Sequence, residues 1–355
     1  MSLDSKVIWS EGMFLNPQHF QQQDRYFEQQ INSRISAISS YGWGIQELEI
    51  DQQLLPLGKV SLLRAKGVFP DGTPFNFPGI DDIPDVLEVP ENTLNTRVYL
   101  AIPLKRAGAV EVQPQESQRG LARYYPSDVA ARNIVSDDGD SQNLQVGKLR
   151  LRLMLESDDI SGYAVIGIMK ISESREDKNV LLDDGYFATT VDCKAVPKLN
   201  GFLLELSGLL RQRAEAIAGR LADAKRGGTA EISDYMMLQL MNRLEPLTTH
   251  LAQVNGLHPV DFYREIVQMA GEIATFVMPE KRPPIFPKYL HDNLQATFLP
   301  VMSTLRKCLS MVYEQSAISI ALIEKKFGIR VAAITDRSLL GSAAFILAVR
   351  ADIPD

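Results

Sequence analysis

From Leu199 onward the apolar residues of this chain return at steps of three and four, and that change of period constrains the fold more than any other feature. Leu199, Leu203, Leu206, Leu210, Ile217 and Leu221 make one stripe; Met237, Leu240, Leu244, Leu247, Leu251 and Val254 make a second. A third opens at His258-Pro259 with Phe262, Ile266, Met269, Ile273 and Phe276. A fourth comes after the proline-rich residues 281–287 with Phe298, Met302, Leu305, Leu309 and Val312. This spacing puts apolar side chains on one side of a helix and, when sustained, along the seam of a left-handed bundle. Residues 193–315 are therefore expected to form a helical bundle domain. Leu240, Leu244, Leu247, Leu251, Met302, Leu305 and Leu309 are its candidate bundle or oligomer seam, and Pro246 is expected to kink the second helix.

Upstream the period is two. In KLRLRLMLE, Leu149, Leu151, Leu153 and Leu155 alternate with Arg150 and Arg152, the pattern of a half-buried strand. RVYLAIPL and YAVIGIMKI read similarly, with Pro103 expected at an edge or bulge because it lacks a ladder donor. Turn signals such as Pro70-Asp71-Gly72 and the loop at 136–141 separate such runs, so residues 45 to about 190 read as an antiparallel sandwich. Before them Asn16-Pro17 starts a helix carrying Phe20, Phe27, Ile31, Ile35 and Ile38, stopped by Tyr41-Gly42-Trp43-Gly44. After the bundle, ISIALIE and AAFILAVRA read as strands. The expectation is an α+β chain in three parts: helix and sandwich (1–192), bundle (193–315) and the start of a β-containing domain (316–355).

Composition removes several functional classes. With 45% hydrophobic and 23% charged residues the chain is too apolar for disorder. A net charge of -7 without a basic run argues against nucleic acid or an anionic membrane as main partner. Cys193 and Cys308 lie far apart with no CxxC, which suggests reduced thiols and a cytoplasmic protein, neither disulfide nor thiolate zinc site. The first residues lack an apolar signal core, and the uncharged run 338–349 is shorter than the ~20 residues a bilayer requires. His19, His250, His258 and His291 show no metal-ligand spacing, and surface or helix-end places are expected for them. Asp137-Asp138-Gly139-Asp140 lacks the alternating ligands of a calcium loop. Gly42-Trp43-Gly44 and Arg226-Gly227-Gly228-Thr229 read as helix terminators. No nucleophile elbow is present, so no catalytic, metal or cofactor residue is assigned, although carboxylate pairs can still meet in space.

The run Trp9-Ser10-Glu11-Gly12-Met13-Phe14-Leu15, then Pro17-Gln18-His19-Phe20-Gln21-Gln22-Gln23 and Arg25-Tyr26, resembles the amino terminus of the TssK (ImpJ/VasE) family of type VI secretion baseplate components. Gly42-Trp43-Gly44, Leu54-Leu55-Pro56-Leu57, the PDGT turn at Pro70–Thr73 and His258-Pro259-Val260-Asp261-Phe262-Tyr263 agree in order. The resemblance implies a shoulder, neck and head, no catalytic residues, and a trimeric adaptor. Its shoulder would be held by the TssF–TssG wedge and its head would reach the cytoplasmic parts of the TssJ–TssL–TssM membrane complex. Because family members usually run longer than 355 residues, the head is expected to be incomplete and its TssL–TssM docking reduced. Trp9, Met13, Phe14, Gln18, Phe20, Gln21 and Gln22 are the candidate wedge-binding residues: aromatics as anchors, uncharged amides as hydrogen-bonding groups. The alternative for each aromatic is packing of the helix onto its own sandwich. The rival classes are a carbohydrate-binding module, needing an exposed aromatic platform, and a hydrolase, needing carboxylates clustered in a cleft.

Overall fold

The computed structural model describes residues 5–114, 121–135, 141–223, 229–310, 320–334 and 345–347. It divides into two compact units, Met1–Ser310 and Met311–Asp355. The first begins with α1 (Pro17–Ile38), succeeded by β1 (Gly44–Ile50), β2 (Lys59–Val60), β3 (Leu62–Val68), β4 (Pro74–Phe77), β5 (Leu87–Glu88), β6 (Leu94–Pro103), β7 (Tyr124–Arg132), β8 (Ser141–Leu149), β9 (Arg152–Leu155), β10 (Tyr163–Ser174) and β11 (Val180–Leu182). Four helices then run to the end of the unit: α2 (Pro197–Asp223), α3 (Thr229–Gln253), α4 (Pro259–Val277) and α5 (Leu294–Ser310). The result is mixed α+β with antiparallel sheets, as the change of period predicts.

The main sheets have orders β1-β3-β4 and β11-β10-β6-β9, with every strand pair antiparallel. Alternate residues of both, among them Ile45, Leu62, Phe75 and Phe77 from the first and Val98, Leu100, Ile166 and Ile171 from the second, fill one core. β6 is an interior strand, so the placement of Pro103 at an edge is corrected: it is the last residue of β6, where a missing donor ends the ladder rather than interrupting it. KLRLRLMLE is likewise not one strand. Leu149 closes β8, Arg123 accepts the Arg150 N–H at 2.9 Å through its carbonyl, and the chain changes sheet to enter β9. The four leucines are buried as their alternation predicts, but Arg150 is buried too, its guanidinium donating to the carbonyls of Gln113 and Pro114.

The helices hold a second core built from Leu199, Leu206, Met241, Leu244, Phe262, Ile273, Phe298, Met302 and Leu305. Pro246, where a kink is expected, lies inside α3, and α5 contains Pro300. Thr248, two residues beyond Pro246, turns its hydroxyl onto the carbonyls of Leu244 and Glu245 at 3.1 and 2.9 Å. The two cores meet at a backbone junction. Ile45 N–H donates to Thr189 O, Val191 N–H returns to Ile45 O, and Cys193 N–H reaches Leu257 O at 2.9 Å. Gly44 makes the junction possible: at φ +132 a Cβ would sit 2.9 Å from the Thr190 carbonyl carbon.

In the second unit β12 (Leu322–Glu324) pairs with β13 (Arg330–Ala332). Among the described residues of ISIALIE, 320–324, the strand is the last three, and its partner is a segment not anticipated. AAFILAVRA falls largely outside the described residues, and its described part, 345–347, is not a strand. The 137–140 and 226–228 turns and Val312 also lie outside them.

Candidate partner-binding surface

α1 starts where Asn16-Pro17 predicts. Pro17 occupies the first turn, and the Asn16 N–H donates to His19 Nδ1 at 3.1 Å, which gives His19 a local helix-end role. The helix is 22 residues long, yet none of them is buried, which is unusual for an element of that length. Its polar side rests on loops of the sandwich. Arg25 pairs with Glu111 at 3.4 Å, Glu28 with Lys105, and Asn32 Nδ2 donates to Asp71 O at 3.3 Å. The seat for Asn32 is the PDGT turn. Gly72, at φ +86, leaves no room for a side chain, since a Cβ would stand 2.4 Å from Asn32 Oδ1. Beneath the turn the buried Arg123 binds Asp71 at 2.7 Å and the Pro103 carbonyl at 2.5 Å. An open cleft of about 840 Å³ runs between α1 and residues 104–112. The apolar side of α1, with Phe20, Phe27, Ile31, Ile35 and Ile38, is exposed.

The leader doubles back on the helix. Gln22 Nε2 donates to Ser5 O at 2.8 Å, and the Trp9 ring lies 6.1 Å from His19 and 6.2 Å from Phe20. Among the sequence-predicted residues, Phe14 is 90% exposed, Trp9, Phe20, Gln18 and Gln21 are exposed, and Met13 and Gln22 are half-buried. The seven therefore lie together on one short stretch of surface. The predicted seam separates into two groups: Leu244, Met302, Leu305 and Leu309 are buried in the chain's own bundle, while Leu240, Leu247 and Leu251 pack half-buried at its margin.

At its other end α1 leads into a site that the sequence did not reveal. His258 caps α4 by accepting the Val260 N–H at Nδ1 (3.1 Å), so its proton sits on Nε2 and is given to the Tyr41 carbonyl at 2.9 Å. His291 repeats the arrangement, with Nε2 on the Trp43 carbonyl at 2.7 Å and Nδ1 facing the Tyr289 hydroxyl at 2.8 Å. The imidazoles stack at 5.3 Å and 14°, with Trp43 edge-on to His291 at 4.7 Å. Two histidines, each with Nε2 on a backbone carbonyl, thus grip the turn between α1 and β1. His291 is 3% exposed, which corrects its expected surface place. The terminator Gly42-Trp43-Gly44 and the helix opener His258-Pro259 were each visible in sequence, but nothing in their spacing shows that they meet.

Among the described residues no group of three or more His, Cys, Asp or Glu side chains is placed to hold a metal ion, and no helix is long and apolar enough to cross a membrane. A cleft of about 370 Å³ is lined by Asp82, Asp85 and Glu88; Asp82 accepts the Tyr125 hydroxyl and Glu88 pairs with Lys59. Cys193 is buried, and burial pushes its thiol well above the ordinary range, where it is unreactive.

The uncovered apolar side of α1 is the main surface feature of the first unit, and likeness to known proteins gives the class. The fold matches a crystal structure of TssK with a TM-score of 0.83 and 37% identity, covering 95% of this chain and 78% of that one. It also matches, at 23% identity and therefore as fold alone, a chain of a TssK-TssF-TssG baseplate subcomplex solved by cryo-electron microscopy, with a TM-score of 0.75 over 86% of this chain and 99% of that one. The type VI secretion baseplate component TssK1 of Pseudomonas aeruginosa is 44% identical over 354 residues, all of this chain and 80% of its own length. Residues 19–355 match the model of the family described as "Bacterial Type VI secretion, VC_A0110, EvfL, ImpJ, VasE". The chain belongs to this TssK (ImpJ/VasE) family, whose members are structural baseplate components and not enzymes.

Proposed function

We propose that the protein is a homotrimeric adaptor of the type VI secretion baseplate, working in the cytoplasm at the inner membrane. Its amino-terminal surface binds the TssF–TssG wedge, and docking on the cytoplasmic regions of TssL and TssM in the TssJ–TssL–TssM complex is the role of the head domain that residues 316–355 begin. Residues 1–192, 193–315 and 316–355 serve as shoulder, neck and the start of a head. The observation that carries this reading is the leader and α1, where Ile8, Trp9, Phe14, Leu15, Phe20, Phe27, Ile31, Ile35 and Ile38 are all exposed. The apolar area they present is on the order of 1,000 Å², more than a soluble monomer ordinarily leaves to water and enough for a specific interface. Similar folds occur in a TssK-TssF-TssG subcomplex and in a baseplate complex from the type VI secretion system, which supports the choice of partners.

Within that surface the amide cluster from Trp9 to Gln22 suits the wedge, since amides donate and accept without the desolvation cost of carboxylates. The test is the double change Phe14→Ser with Gln21→Ala, in protein whose melting temperature and native mass match the parent. Loss of TssF–TssG in co-purification is the expected result. Full retention would reject the wedge assignment.

A further inference from the structure

β7 and β8 form a two-stranded ribbon nine residue pairs long, from Tyr124↔Leu149 to Arg132↔Ser141. Among the described residues its base alone is anchored, by the buried Tyr125 and Leu149 and by Lys148, which binds the Ile80 carbonyl and Asp82. Beyond the base the ribbon is amphipathic. One face carries the pairs Ser127↔Val146, Val129↔Leu144 and Ala131↔Gln142; the other carries Asp128↔Gln145, Ala130↔Asn143 and Arg132↔Ser141. Val129, Leu144 and Val146 are exposed, so the apolar face lies uncovered. A two-stranded ribbon is marginal in water unless that face is packed.

The same chain holds a second uncovered face of similar length. Phe27, Ile31, Ile35 and Ile38 extend over about 17 Å of helix, and Ser127 to Ala131 over about 14 Å of strand. The ribbon's apolar face bears no charge, since Asp128 and Arg132 are on its polar side, while the helix stripe carries the exposed Arg34 beside Phe27 and Ile38. Within one copy the two faces do not meet. The ribbon's base, at Tyr124 and Gly147, lines the cleft with Arg25, Glu28 and Asn32, on the polar side of α1. Matching length, the apolar character of both faces and this orientation together point to a contact between copies.

We propose that the β7–β8 ribbon of each copy closes over the carboxyl-terminal half of α1 in a neighbouring copy, Val129, Leu144 and Val146 covering Phe27, Ile31 and Ile35. The contact joins different surfaces on the two copies, so it propagates around a ring and closes when the rotation per copy allows. It deepens the self-association proposed above and depends on it.

Two differently tagged full-length copies, one Ile31→Cys and one Val129→Cys, are co-expressed and treated with a short bismaleimide. The native Cys193 and Cys308 are each 1% exposed and do not compete. A product carrying both tags, lost on adding Leu144→Asp to the ribbon copy, is expected. An oligomeric native mass with no such product overturns the ribbon contact while leaving self-association standing; a monomeric mass overturns both. A cross-link within a single chain carrying both cysteines, or one from Val129→Cys to TssF or TssG and none to a second copy, assigns the ribbon elsewhere and also overturns the proposal.

Discussion

His291 stays neutral because burial, the main cause, holds its pKa down to about 4 against an ordinary 6.5; the Trp43 carbonyl pulls the other way, and the neighbouring His258 adds to the lowering. The folded state thus takes up the proton later than the unfolded chain does. Stability is fully present above about pH 6.5 and falls as pH drops toward 4, by about 2 kcal/mol between pH 7 and pH 5 from this group alone. Denaturant titrations at the two pH values should show that loss. His291→Gln, which keeps a donor for the Trp43 carbonyl, should be less stable at pH 7 yet lose less on acidification. An unchanged pH slope in the variant would remove His291 as the cause.

The helices differ in what their apolar stripes do, and that difference can be measured. Leu305 of α5 is fully buried, so Leu305→Ala should cost roughly 2–5 kcal/mol; Leu247, half-buried on α3, should cost less than half of that. Equal losses in thermal unfolding would mean that assembly buries Leu247 as deeply as folding buries Leu305. Sequence made the helices legible because a three-four period survives any packing arrangement, and it marked α1 through Asn16-Pro17 and the isoleucines. It did not show that the α1 stripe lacks a partner, because an apolar stripe reads alike whether a core or a second chain covers it. The strand at KLRLRLMLE was misread for a related reason: alternation continues through a change of sheet, and only the pairing of Arg150 with Arg123 reveals the break. The β12–β13 hairpin was hidden by its short, exposed strands, in which no residue of either strand is buried.

The sandwich and the bundle share one compact unit, and the backbone junction at Ile45, Thr189 and Val191 leaves little for either to do alone. Phe77→Ala in the sandwich core and Met302→Ala in the bundle core should therefore lower a single unfolding midpoint for residues up to 310, seen alike by helix and aromatic signals. Two separate transitions would show that the junction does not couple them. The histidine grip on Tyr41 and Trp43 adds a mechanical consequence. α1 has a fixed root and, along its span, polar struts at Arg25, Glu28 and Asn32, so it behaves as a propped beam with a free leader end. A load applied near Phe14 is shared between the struts onto the sandwich loops and the root, where the two imidazoles pass their part to the helical half of the unit. A push on the leader thus reaches the helices as well as the sheets.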